Sequence, residues 1–437
     1  MRHSRSKLSS VCWYAEALCL GVTIGFSEVL LAIYYGSKDM DSVLLAVFIT
    51  VPAAFGAMTQ VAMTSLKSMF NSAKTLALAA VSVQIVGLLT MSSALYANNS
   101  DHLMMFVGQC LYWMGGMTSS SPTQEILANS VESQFQNRFF SRRAMVMTIL
   151  TLICNLSSAK FLAAGLTPTL MASLLGIAAA ARLLSLILIH LFADVSHNDL
   201  QDHEKTDKDE SLVSILRLSI VIMFFRCAVN VSSPFFSTYM LREIHLDYAV
   251  YSILTAIPLV TKTFCLTNWA RLLDDNRKFE GLAIATFTIG AVPVLWAIGA
   301  SISWIGTLQV LSGLSWAGFD LISILLVQHM YPRSITQKLG LFLALGSVGS
   351  VMGGILGGFL LKAFGSYHAL FAISGVLRLL TGFALLWYLR RHHLFRFQNL
   401  RLRSGLATLV TVRPSIEAAA KILPLQYRRD LRRNRDT

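Results

Sequence analysis

The sequence predicts an all-α polytopic membrane protein, with twelve transmembrane helices in two pseudo-symmetric six-helix bundles. Three observations carry that expectation. Apolar runs long enough to cross a bilayer recur along the whole chain, basic residues crowd into every second connection, and the two halves echo one another at a nearly constant offset.

Of the 437 residues 54% are hydrophobic and 14% charged, which a water-soluble domain does not show. The runs fall at roughly 11–35, 42–66, 75–97, 103–131, 140–165, 169–193, 213–241, 247–270, 280–300, 302–331, 336–364 and 367–390. Each is near the length of about 20 residues that spans a hydrocarbon core. A backbone in lipid must satisfy its own hydrogen bonds, so the runs are expected to be helices. The first run is longer than a signal-peptide core and contains Glu16 and Glu28, so it is read as a retained helix. Six cysteines lie in or beside apolar runs without metal-ligand spacing, and no metal or cofactor is expected.

Successive helices run in opposite directions, so alternate connections share a side. One side collects Arg2, Arg5, Lys7, Lys67, Lys74, Arg138, Arg142, Arg143, Lys205, Lys208, Arg217, Arg271, Arg277, Lys278, Arg333, Lys338 and the basic tail. The other holds Lys38, Arg242 and Lys362. Both termini are therefore expected in the cytoplasm, and the net charge of +13 reflects topology rather than nucleic-acid binding.

The chain is divided accordingly into a first six-helix half (1–193), a polar linker (194–212), a second half (213–391) and a basic tail (392–437). The linker "DVSHNDLQDHEKTDKDES" is acidic and free of aromatics, as a solvated connection should be. The tail alternates apolar and basic residues ("LFRFQNLRLR") and is expected to lie against anionic lipid head groups.

Internal similarity supports the two halves. Gln109 recurs as Gln309, Asn137-Arg138 as Gln337-Lys338, and "ARLLSLILI" around Arg182 as "LRLLTGFALL" around Arg378. A shared offset of this kind points to duplication in parallel orientation.

Two six-helix halves joined by a polar linker resemble the major facilitator superfamily of transporters. The motif G-x-x-x-D-R-x-G-R-R that this family places after helix two has a weaker copy after helix eight. Here the second copy is recognisable in "WARLLDDNRK", with Arg271, Asp274, Arg277 and Lys278 in order, although Ala270 and Asn276 replace the two glycines. The first copy has decayed to "SLKSMFNSAK", which lacks the acid. "SPTQEILANSVESQFQNRFFSRR" is similar to the helix-four to helix-five junction of many bacterial members, and "GSVGSVMGGILGGFLL" to the glycine-rich helix eleven. The resemblance covers about residues 10–391. It implies a bacterial inner-membrane transporter with Arg271, Asp274, Arg277 and Lys278 at a cytoplasmic gate, and a cavity lined by helices one, four, seven and ten.

Ionisable residues inside apolar runs are costly, so they mark candidate sites. Glu28 in segment one, Glu125 in four, Arg226 in seven and Asp320 in ten are the candidates for substrate binding or proton coupling, and the resemblance places them around one cavity. Asp320 has small neighbours and Trp316 beside it, and Arg226 lies near the midplane, where it should meet an acid or an anionic substrate. Arg182 and Arg378 are expected to serve helix packing, and Lys160 and Lys262 to snorkel. The glycines at 346, 349, 353, 354, 357 and 358 suit close helix approach. The function expected is a secondary active transporter of a small solute, working by alternating access and coupled to protons. A transporter-like scaffold or sensor is the alternative. A lipid-modifying enzyme is disfavoured, because the histidines show no ligand or catalytic spacing.

Overall fold

The computed structural model describes residues 2–37, 40–70, 72–97, 102–130, 133–163, 167–192, 210–274, 278–330 and 335–392. Among the described residues there are twelve helical rods. Helix one is Arg2–Ser37, helix two Ser42–Val61 (followed by a short turn of helix, Met63–Met69), helix three Ala73–Tyr96, helix four His102–Ser130, helix five Ser133–Ala163 and helix six Pro168–Phe192. Helix seven runs Glu210–Asn230 and continues through Phe235–Thr238 and a π-helical turn, Tyr239–Glu243. Helix eight is Tyr248–Asp274, nine Lys278–Trp296, ten Ile302–Met330, eleven Ile335–Phe364 and twelve Tyr367–Arg391. Ten of the rods are long and apolar enough to cross a membrane. Helices four and five are as long, with 29 and 31 residues, but carry more polar side chains.

Apart from helix one, which begins nine residues before the expected span, the expected spans agree with these rods to within about two turns, and local chemistry explains the ends. Asp41 caps helix two by accepting from the Val43 and Leu44 amides, and Ser72 with Thr75 forms a capping box at helix three. Pro52, Pro122, Pro258 and Pro293 lie inside helices, whereas Pro234 stands at the break in helix seven. A proline lacks the amide that would continue the ladder, which accounts for the interruption there.

An even number of antiparallel rods brings the two ends of the described chain to one end of the molecule, here called proximal; the other end is distal. The buried core is distributed unevenly between them. At the distal end one cluster joins both halves, with Leu30, Tyr34, Tyr35, Leu45 and Phe48 packed with Val231, Phe235, Tyr239 and Leu361. Proximally the core divides in two. One cluster belongs to the first half (Trp13, Val81, Leu127, Phe139, Ile189) and one to the second (Ile215, Phe225, Trp269, Phe319, Leu389). The buried apolar core is thus shared by both halves distally and divided between them proximally, where helices two and eleven still touch at Gly340 and Gln60.

Helix eleven is the seam between them. A Cβ on Gly349, Gly353 or Gly357 would meet the carbonyl oxygens of Met223, Cys227 and Val231 on helix seven at 2.1, 2.0 and 2.0 Å. On its other side Gly354 faces Thr50 and Gly358 faces Val43, both on helix two of the opposite half. In lipid the apolar faces gain little by leaving the solvent, so helices associate through close packing of this kind.

Candidate functional site

Besides an exposed pair at the distal end, ion pairs among the described residues gather at three places along the bundle. The first is in the first half. Arg182, only 3% exposed on helix six, donates from Nε to Gln84 Oε1 (2.7 Å), from Nη1 to Ser185 Oγ (3.0 Å) and from Nη2 to Ser119 Oγ (3.0 Å). Its Nη1 also lies 3.6 Å from Oε1 of Glu16, which is itself 1% exposed, and Arg143 of helix five donates to the other Glu16 oxygen. One carboxylate is held between two guanidinium groups, with Ser185 donating to it at 3.2 Å. A buried acid needs such partners, because desolvation otherwise costs several kcal/mol per ion.

This cluster forms part of the wall of a cavity of about 330 Å³, which is also lined by Leu20, Ile24, Glu28, Tyr112, Trp113 and Gln124. Glu28 lies three turns further along helix one. Its flanking Ser27 and Leu30 are buried while Glu28 is open to the cavity, with the Tyr112 hydroxyl donating to Oε1 at 3.5 Å. The Ser27 hydroxyl, 2.9 Å from the Tyr112 oxygen, fixes that ring on its other side.

The second cluster is in the second half. Asp320 on helix ten accepts from Lys262 Nζ on helix eight at 2.6 Å and lies 3.4 Å from Arg226 Nη2 on helix seven. The three side chains are 31%, 39% and 28% exposed, so this group is open where the Arg182 group is closed. The Arg226 guanidinium lies over the rings of Trp316 (5.1 Å) and Phe319 (5.6 Å), which hold its plane by cation–π contact. Asn230 bridges the Arg226 carbonyl to Ser350 on helix eleven.

The third cluster is proximal. Glu125 on helix four pairs with Lys67 Nζ at 2.6 Å, from the short helix after helix two. The loop that lacks the family acid thus contributes a cation that holds helix four.

The structure therefore brings Arg226 to Asp320, and among the described residues no ion pair joins either to Glu28 or Glu125. The side chains of Arg271, Asp274 and Lys278, and all of Arg277, lie outside the described residues, as do the tail beyond His392 and residues 193–209 of the linker. One expectation needs correction and one is extended. Lys262 does not snorkel: it lies at the middle of Tyr248–Asp274 and reaches Asp320. Arg182, expected to serve helix packing, bonds to Gln84 and Ser119 on neighbouring helices and in addition lines the cavity beside Glu16. Glu16 and Arg143 were missed. Glu16 was legible as a charge within an apolar run; Arg143 reads as a loop residue until helix five is seen to begin at Ser133.

Twelve rods, ten of them long and apolar enough to cross a membrane, with charges turned into the bundle, define a helical membrane protein. Residues 218–435 match the sequence model of the Major Facilitator Superfamily, a stretch that continues through the tail left outside the resemblance above. The chain is a member of that superfamily. A point mutant of the nucleoside transporter NupG superposes with a TM-score of 0.69 at 14% identity, over 89% of this chain and 100% of that one. A POT family transporter in complex with 5-aminolevulinic acid gives 0.68 at 11%, over 88% and 96%. A peptide transporter POT mutant in complex with alafosfalin gives 0.68 at 12%, over 90% and 96%. A relative from Buchnera aphidicola subsp. Schizaphis graminum (strain Sg), described as an uncharacterized transporter, is 23% identical over 161 residues. That match covers 32% of this chain and 39% of the relative, about two fifths of its length. At these identities the solved structures speak for the fold. The family is one of membrane transporters rather than enzymes, and the apolar helices make the protein an integral membrane protein.

Proposed function

We propose that this transporter moves a small polar solute by alternating access and couples that movement to protons through Asp320. The observation that carries the reading is the divided core, one cluster joining the halves distally and two separate clusters proximally. A protein of this shape has one closed end and one that can part, and rocking of the halves about helices two and eleven would exchange them. With the proximal side in the cytoplasm, the placement that the basic residues favour, the described state faces inward.

Asp320 suits coupling because it stands between two cations on two other helices, Lys262 and Arg226. A proton on Asp320 would remove the anion that draws helices seven, eight and ten together, so protonation and helix position are linked. The relatives give a range for the solute, nucleosides for NupG and peptides for POT. The basic tail fits an anchor on anionic lipid, with the inner membrane as its site.

The test is uptake in proteoliposomes with and without a pH gradient. Asp320→Asn is expected to abolish gradient-driven accumulation, at least tenfold below wild type, while exchange of solute continues. Wild-type accumulation in that variant would remove Asp320 from coupling and leave Glu28 as the next candidate. Absence of flux for every small polar solute tried with the wild-type protein would favour the scaffold or sensor.

A further inference from the structure

The first-half cavity points to one chemical class of solute. Four charged groups line it: Glu16, Glu28, Arg143 and Arg182. Three of these are grouped around one carboxylate, although Arg143 Nε is buried without a hydrogen-bond partner. Glu16 is shared between both arginines, and each guanidinium nitrogen of Arg182 has a partner in Gln84, Ser119 or Ser185. Arg182 and Glu16 are almost fully buried, so neither presents a charge to a solute. Glu28 differs on each count. Among the described residues it has no cation within ion-pair distance, its one polar contact is the long bond from Tyr112, and it is open to the cavity.

Beside Glu28 stand two aromatic rings, Tyr112 and Trp113, set edge to face with centroids 5.9 Å apart, and Trp113 also lines the cavity. A carboxylate needs a counter-charge, and an aromatic face attracts a cation by its quadrupole; an organic ammonium satisfies both at once. A neutral solute would leave this carboxylate without a counter-charge, and an anion seated here would bring a second negative charge beside it.

We propose that the first-half cavity recognises a solute bearing a protonated amine or quaternary ammonium group, with Glu28 as its counter-charge and Trp113 as its aromatic wall. The proposal deepens the transport reading and rests on it for the meaning of the cavity, but binding can be tested without flux.

The experiment is thermal unfolding of the purified full chain in detergent with three probes of one shape: phenethylamine, 2-phenylethanol and phenylacetate. A ligand that binds only the folded state raises the midpoint with its concentration. Phenethylamine is expected to raise it and the other two to leave it unmoved. Glu28→Gln should weaken the phenethylamine effect about tenfold or more in apparent affinity, and Trp113→Leu should weaken it less. Glu28→Asp, which keeps the charge, should keep the order of the probes, and it carries the test if Glu28→Gln does not fold. No stabilisation by phenethylamine, equal stabilisation by all three probes, preference for the neutral or anionic probe, or an unchanged response in Glu28→Gln would each overturn the assignment. Flux with a reversed probe order overturns the amine site and leaves the transporter standing; binding in the expected order without flux supports the site and counts against transport.

Discussion

Arg182 and Arg378 occupy corresponding places on helices six and twelve, yet they have come to different chemistry. Arg182 reaches a carboxylate, Glu16, at the wall of a cavity. Arg378, equally buried, donates instead to the carbonyls of Ile289 and Val229 and to the hydroxyls of Ser232 and Ser374, with no acid among its described partners. Neutral acceptors from helices seven and nine fasten helix twelve into its own half. An acid shared with a second arginine makes the first-half counterpart part of an ion system beside a solute-sized space. The same residue type stands on both helices, and what lies opposite decides whether it is a fastener or part of a site.

The largest effect should come from breaking the ion system. Glu16→Gln leaves Arg143 and Arg182 facing one another without their anion, and removing one partner of a buried pair typically costs about 3–5 kcal/mol. Arg378→Met removes a buried charge together with its desolvation cost. It leaves a few acceptors short of a donor, at about 1–3 kcal/mol for each that stays buried and unpaired. The thermal midpoint in detergent should therefore fall further for Glu16→Gln than for Arg378→Met. Equal losses would erase the distinction between fastener and site. Glu16→Gln should also weaken phenethylamine binding, because two uncompensated guanidinium groups then share the cavity with Glu28.

How much of this was legible beforehand follows the same division. Asp320 and Arg226 stand out as charges in apolar runs, and their meeting required only that helices seven and ten adjoin. A lysine close to an expected span end can reach water, which hides Lys262 in the sequence; helix eight, running on to Asp274, instead places it at mid-helix. In the sequence Glu16 stands out only as a charge that a signal peptide would exclude. Its partners come from helices five and six, and no periodicity along one chain shows which helix turns toward which. Composition and alternation reveal the solvent and the topology; pairing across helices is settled by packing angles that the sequence does not display.

The comparison extends from charge to packing on helix eleven. Gly353 abuts the Cys227 carbonyl within its own half, where an added methyl would stand 2.0 Å from backbone that cannot yield. Gly353→Ala should destabilise the fold by about 1–3 kcal/mol, as overpacking does, measured by the thermal midpoint. Gly354 instead faces the Thr50 side chain across the halves, with Cγ2 at 2.8 Å from an added Cβ. Gly354→Ala should therefore leave the midpoint nearly unchanged and shift the balance between conformers, read by the rate at which a cysteine at the proximal end of helix ten is labelled. Equal loss of stability in both variants would show that the seam is as fixed across the halves as within one.

The smallest effect belongs to the distal latch, where Lys362 of helix eleven pairs with Asp41 at the start of helix two at 3.2 Å and Arg242 Nε donates to the Gly36 carbonyl at 2.9 Å. Both latches join opposite halves, but Lys362 and Asp41 are 67% and 45% exposed, so water and salt screen their attraction. The hydrogen bond from Lys362, with help from the Val43 amide, holds the Asp41 carboxyl below its ordinary range. A group depressed in this way stabilises the closed end above the carboxyl's unperturbed value, about pH 4, and loses that contribution as pH falls through its lowered value. At neutral pH Lys362→Ala should change the unfolding midpoint little, and high salt should remove the difference altogether. Labelling of a cysteine placed at Ser42 should become modestly faster in Lys362→Ala at neutral pH, and that gain should vanish at pH values low enough to protonate Asp41. A gain that persists there would mean that Lys362 closes the distal end through its packing rather than its charge.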